Sequence, residues 1–129
     1  MYEFNLTLNL PFDQAVEKVR ETLMGEQLGV VSEIDVQAIF KAKMDKDIAP
    51  YRIMGACNPK LAERVLEAEP NAGTLLPCNF VMRAEADATV VSFMDPASVL
   101  ALSENETVRE IGSEARAKLQ RVADTLAGV

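Results

Sequence analysis

The sequence contains no histidine. That absence excludes Ser-His-Asp and Cys-His nucleophile pairs, histidine metal sites and His-ligated haem. Any catalysis has to run on Cys, Lys, Tyr, Asp or Glu. Cysteine is also scarce, with only Cys57 and Cys78 present. There is no apolar run of the roughly 18 to 20 residues that a spanning helix needs. The best stretch, Thr74 to Met82, is interrupted by Pro77 and Asn79. Met1-Tyr2-Glu3-Phe4-Asn5-Leu6 has neither a basic cluster nor an apolar block of signal-peptide length, so a cytoplasmic location is expected. Basic residues are in the minority, 13 against 20 acidic for a net charge of −7, which repels a polyanion at long range. Lys41, Lys43 and Lys46 interleave with Met44, Asp45 and Asp47 and read as a solvated helix end. Neither nucleic acid nor a membrane is an expected partner.

What is present suits one ordinary domain. At 129 residues about two-thirds of the unfolded surface is buried on folding, and 49% apolar with 26% charged residues is a globular composition. The expectation is a single domain over residues 1–129 that folds without disulfides or metal.

Tyr2 to Leu10 alternates Tyr2, Phe4, Leu6, Leu8 and Leu10 with Glu3, Asn5, Thr7 and Asn9, the period of a strand buried on one face. Pro11 marks a helix start, and Phe12, Val16, Val19 and Leu23 follow at helical spacing to Gly25 or Gly29. A second strand spans Val30 to Asp35, with Val30, Ser32 and Ile34 on one face and Val31, Glu33 and Asp35 on the other. Asp35 then caps a short helix over Val36 to Met44. Tyr51 to Cys57 is a third strand, followed by Asn58 as N-cap, Pro59 at the first helical position and a stripe of Leu61, Ala62, Val65 and Leu66. Asn71-Ala72-Gly73 reads as a turn.

Thr74 to Ala84 predicts a long strand with Leu76, Cys78, Phe80 and Met82 on one face and Leu75, Pro77, Asn79, Val81 and Arg83 on the other. Pro77 points to an edge or a bulge. Thr89 to Met94 is its hairpin partner, Asp95-Pro96 opens a turn or short helix to Leu102, and Ser103 or Asn105 caps a last helix carrying Val108, Ile111, Ala115, Leu119, Val122 and Leu126. The order predicts an α+β, two-layer domain: a mainly antiparallel, five-stranded sheet with helices on one face.

For chemistry, Cys57 is the stronger of the two cysteines. It precedes a capped helix start, where the dipole lowers a thiol pKa. Antiparallel pairing of the third and fourth strands brings it within a few residues of Cys78. Two cysteines this far apart in sequence are a weak redox or metal signal, and a metal held by Cys57 and Cys78 needs further ligands. Glu33 and Asp35 read as a solvated face plus a cap, Tyr51 as a rim residue able to donate a hydrogen bond in a cleft, and Met24, Met44, Met54, Met82 and Met94 as fillers of core gaps.

Three strings carry a resemblance: Glu33-Ile34-Asp35-Val36; Tyr51 to Pro59 with Leu61-Ala62; and Gly73-Thr74-Leu75-Leu76-Pro77-Cys78-Asn79-Phe80-Val81. With Gly-Ala-Cys-Asn-Pro and Leu-Leu-Pro-Cys-Asn, the chain resembles the domain of unknown function 302 family over nearly its whole length. The resemblance implies a curved antiparallel sheet carrying long helices, similar to the TATA-binding protein, in small bacterial or archaeal proteins that often form homodimers. It implies no established activity and no cofactor. Asp35, Tyr51, Cys57, Asn58, Cys78 and Asn79 carry over as family signature positions, not as catalytic ones.

Three functions then compete. The first is a non-enzymatic homodimeric module binding a small ligand or partner at a cleft near Cys57 and Cys78, with Asp35, Tyr51, Asn58 and Asn79 around it. The second is thiol-dependent redox or metal handling with Cys57 reactive, and the third a structural or assembly role.

Overall fold

Alternation at the N-terminus becomes β1 (Glu3–Leu8), and the Pro11 start becomes α1 (Phe12–Gly25), in a computed structural model that describes residues Met1–Val129. β2 (Gly29–Asp35) leads directly into α2 (Val36–Met44), with the Asp35 carboxylate accepting from the Ala38 N–H. β3 (Tyr51–Cys57) runs into α3 (Pro59–Ala68), whose first free N–H groups, those of Lys60 and Leu61, donate to Asn58 Oδ1. A 3₁₀ turn, Pro70–Leu75, precedes β4 (Cys78–Glu85) and its hairpin partner β5 (Ala88–Met94). α4 (Pro96–Leu100) and α5 (Glu106–Ala127), capped by Asp95 and Asn105, complete the chain.

The five strands form one open sheet in the order β1-β5-β4-β3-β2, and every neighbouring pair is antiparallel. One face carries the core. Leu8, Met54, Phe80, Met82, Val91 and Phe93 project from the strands against Val16, Val19 and Leu23 of α1 and Ala115, Leu119, Val122 and Leu126 of α5. Each of these side chains other than Ala115 contributes at most roughly 1.5–3 kcal/mol on burial. A smaller cluster of Val65, Ala72, Leu100, Val108 and Ile111 ties α3, the 3₁₀ turn and α4 to the first half of α5. There α4 lies so close that a Cβ on Gly112 would come within 2.7 Å of the Pro96 carbonyl oxygen, so only glycine fits.

The fold is the expected α+β arrangement, with local departures. The fourth strand begins at Cys78, not Thr74, because Thr74 and Leu75 belong to the 3₁₀ turn and Pro77, which has no N–H for a ladder, stands just outside the pairing. Pro77 therefore marks neither an edge nor a bulge, and β4 lies inside the sheet between β5 and β3. Asn71-Ala72-Gly73 is part of the same 3₁₀ turn.

The face assignment of the second strand also changes. A register shift between Val30 and Ser32 leaves Val31 as the extra residue of a bulge, so Val30, Glu33 and Asp35 pair with Ala56, Met54 and Arg52 on the helix-covered face. Ser32 and Ile34 turn to the opposite face. Met54 and Met82 fill the core, whereas Met24 and Met44 are exposed. Unlike the other long helices, α2 buries none of its residues.

Candidate functional site

The register that pairs β3 with β4 sets Ala56 opposite Cys78, and Cys57 is the next residue along. Both cysteines are free thiols. They line one cavity of about 30 Å³ with Asn58, Leu61, Leu76 and Pro77, closed below by Leu100, Ile111 and Ala115. A space of that size holds one or two waters.

Proximity of the thiols is thus met, but the electrostatics run opposite to the helix-dipole expectation. Burial pushes the Cys57 thiol up from its ordinary value. Cys78 is pushed up to about 11, first by burial and then by the charge of Cys57. Desolvation of the sulfurs drives both shifts, and Asn58 Oδ1 also takes the N–H groups of Lys60 and Leu61 at the start of α3. Both cysteines are therefore protonated thiols at neutral pH.

The remaining signature positions divide between two places. Asn58 is spent as the α3 cap, and Asp35 caps α2 at the far end of β2. Its neighbour Glu33 is held by the guanidinium groups of Arg20 and Arg52, and Arg52 also lies 5.2 Å over the Phe12 ring. Tyr51 and Asn79 face away from all of these. They project from the side of the sheet opposite α1 and α5.

That open face holds two hollows. One hollow of about 440 Å³ is lined by Tyr2, Glu3 and Asn5 at β1, Tyr51 of β3, Asn79, Val81 and Arg83 of β4, and Ser92 and Met94 of β5. A second, of about 480 Å³, lies between α2 and β3 and is entirely apolar: Val36, Ile39, Phe40, Ile48, Tyr51 and Ile53. Tyr51 belongs to both. Each volume is in the range that binds small molecules. Within the first hollow the chain's own bonds join Asn5 to Glu3 and Arg83 to Glu85. The Tyr2, Tyr51, Asn79 and Ser92 side chains remain open to a ligand or to solvent.

Tyr2, Arg83 and Ser92 were not among the site residues read from the sequence. The signal was nevertheless there, since alternation along the fourth strand sets Asn79, Val81 and Arg83 on one face. What alternation does not reveal is that α1 and α5 both pack on the other face, leaving only α2 and Val99 of α4 beside this one. Gly55, in the same face, keeps the surface low, because a Cβ there would collide with Ser32 Oγ and the Pro77 ring.

The hydroxyl of Ser103 donates to Glu69 and accepts from the Asn105 N–H. These bonds tie the entry of α5 to the end of α3. No group of three or more Cys, Asp or Glu residues is arranged to hold a metal ion, so Cys57 and Cys78 stand alone as soft donors. No helix is long and apolar enough to cross a membrane.

No curated protein matches the chain in sequence. Among solved structures it is similar to the crystal structure of an uncharacterized conserved DUF302 protein from Bacillus stearothermophilus. That match has 24% identity and a TM-score of 0.87, covering 96% of this chain and 97% of the other. The same sheet with its helices is therefore built from two sequences that differ at most positions. A family model described as "Domain of unknown function DUF302" matches residues 4–126, which takes in every strand but the first residue of β1 and all but the end of α5. With nearly the whole chain matched, the protein belongs to the DUF302 family.

Proposed function

We propose that this protein is a non-enzymatic module that works as a homodimer, with the open face of the sheet as the surface on which a second copy and a small ligand are received. Support comes from the two adjoining hollows on that face and from α2, an amphipathic helix whose apolar side meets no core. Ile34, outside both hollows, stands 45% exposed on the same face, so the apolar surface runs on past them.

The areas are of the right order. The chain exposes 7271 Å², where a monomer of its mass is expected to expose about 6,700 Å². Five strands of about seven residues span roughly 550 Å² before pleating and α2 are counted. That approaches the roughly 800 Å² per partner of a standard interface. The thiols favour a binding role over a chemical one, since both are protonated at neutral pH and neither is a ready nucleophile.

Sedimentation velocity at about 100 μM, well above the Kd of a standard-size interface, tests the association. The wild-type chain is expected to sediment as a dimer and Ile53→Glu as a monomer with an unchanged circular dichroism spectrum. A wild-type monomer, or an Ile53→Glu dimer, rejects the open face as the contact surface.

A further inference from the structure

We infer that the open face binds a small uncharged amphiphile, with a hydroxyl- or amide-bearing head between Tyr51 and Ser92 and a short alkyl or acyl tail under α2. The inference rests on the open face being the working surface and adds the chemistry of what it receives.

The two hollows adjoin at Tyr51, whose side chain lines both, and their linings differ in kind. The end beneath α2 offers no hydrogen-bonding group other than the Tyr51 hydroxyl at its border. A polar ligand atom there would lose its bonds to water and gain none. Only hydrocarbon is at home in that half.

The other end is built oppositely. Tyr2, Tyr51 and Ser92 bring hydroxyls and Asn79 an amide, groups that both donate and accept, above a floor that includes Val81 and Met94. Its two ionic residues oppose one another, because Arg83 and Glu3 both line the hollow. Each is also engaged already, Arg83 with Glu85 and Glu3 with Asn5. A carboxylate or ammonium head therefore meets one favourable and one unfavourable charge and gives up its hydration for little. A head of hydroxyls or amides exchanges its bonds with water for bonds of the same kind. The charge balance of the polar end thus selects a neutral head, and the apolar end selects the tail.

Titration of the uniformly ¹⁵N-labelled full chain, followed by amide shifts, tests this with three probes sharing one tail: n-octyl-β-D-glucoside, octanoate and octyltrimethylammonium, each below its micelle-forming concentration. The glucoside is expected to saturate with shifts at both Phe40 or Ile53 and Asn79 or Ser92, and to bind at least ten-fold more tightly than glucose or either ionic probe. Asn79→Ala is expected to erase the preference among the three heads while the shifts at Phe40 and Ile53 persist, which also reports that the variant is folded. Equal affinity for all three probes, shifts confined to the α2 end, or no saturable shift overturns the inference. Sedimentation of the same samples separates it from the association. A dimer without selective binding removes the ligand alone, and a monomer that binds the glucoside selectively removes the dimer alone.

Discussion

The two faces of the sheet are made from alternate residues of the same five strands, yet they have opposite characters. On the covered face Met54, Phe80, Met82, Val91 and Phe93 have at most 1% of their surface exposed. One residue away, Tyr51, Ile53, Val81 and Ser92 are only half-buried and Asn79 is exposed. Backbone, register and hydrogen bonding are common to both, so the difference lies in what packs above. α1 and α5 close one side into a core, while α2 only fringes the other. The comparison teaches that one side of this sheet holds the fold together and the other is left available, so substitutions on the two sides should have separable consequences.

The sharpest way to break that comparison is to truncate neighbours. Phe93→Ala removes a fully buried ring stacked among Phe4 and Phe80 and is expected to cost about 3–5 kcal/mol in urea unfolding. Met82→Ala should cost about 2–5 kcal/mol, and Val81→Ala, the next residue on the open face, under about 1 kcal/mol. Should Val81→Ala prove as costly as Met82→Ala, the open face is a second core and the contrast fails.

A pH series sharpens it further, because Cys78 sits on the covered side. An unfolded thiol ionises near 9.0, while that of the folded chain is pushed up to about 11. The stabilisation due to the protonated thiol is therefore complete below pH 9 and is lost as pH rises through about 11. The loss amounts to at most about 3 kcal/mol. Urea midpoints measured from pH 8 to 11 should fall less steeply for Cys78→Ala than for the wild type, and identical slopes would show that the site is not desolvated.

Gly112→Ala drives a methyl group toward the Pro96 carbonyl oxygen, which as backbone has little room to retreat. It should cost about 1–3 kcal/mol by thermal unfolding. Asn58→Ala, which removes the α3 cap, is expected to cost about 1 kcal/mol. That variant also frees two N–H groups beside Cys57, so its alkylation should quicken relative to the wild type if the cap is what withholds the helix dipole from the sulfur.

Elements governed by local rules were legible in the sequence. Asp35, Asn58 and Asn105 cap the helices their side chains suit, β3 runs from Tyr51 to Cys57 as its composition indicates, and the stripe from Val108 to Leu126 is buried as spaced. Less legible were features set by tertiary contact. Nothing in Val30-Val31-Ser32 announces a bulge, and reading straight alternation through it put Glu33 and Asp35 on the wrong face relative to Val30. The sequence brought Cys57 beside Cys78, but local reasoning about a helix end could not foresee that burial raises the thiol. The open face was half visible, in Tyr51 and Asn79, and its other half depended on knowing which side the helices take.

The bulge at Val31 has a bearing on how copies of this chain can meet. β2 is a rim strand, and such rims invite strands of other molecules to add on. Here the rim is buckled at Val31, weighted with the Glu33 carboxylate and its two arginines, and cut short by α2 at Val36. A ribbon growing from molecule to molecule finds no straight border on this flank to extend. Strand addition through this flank is therefore disfavoured.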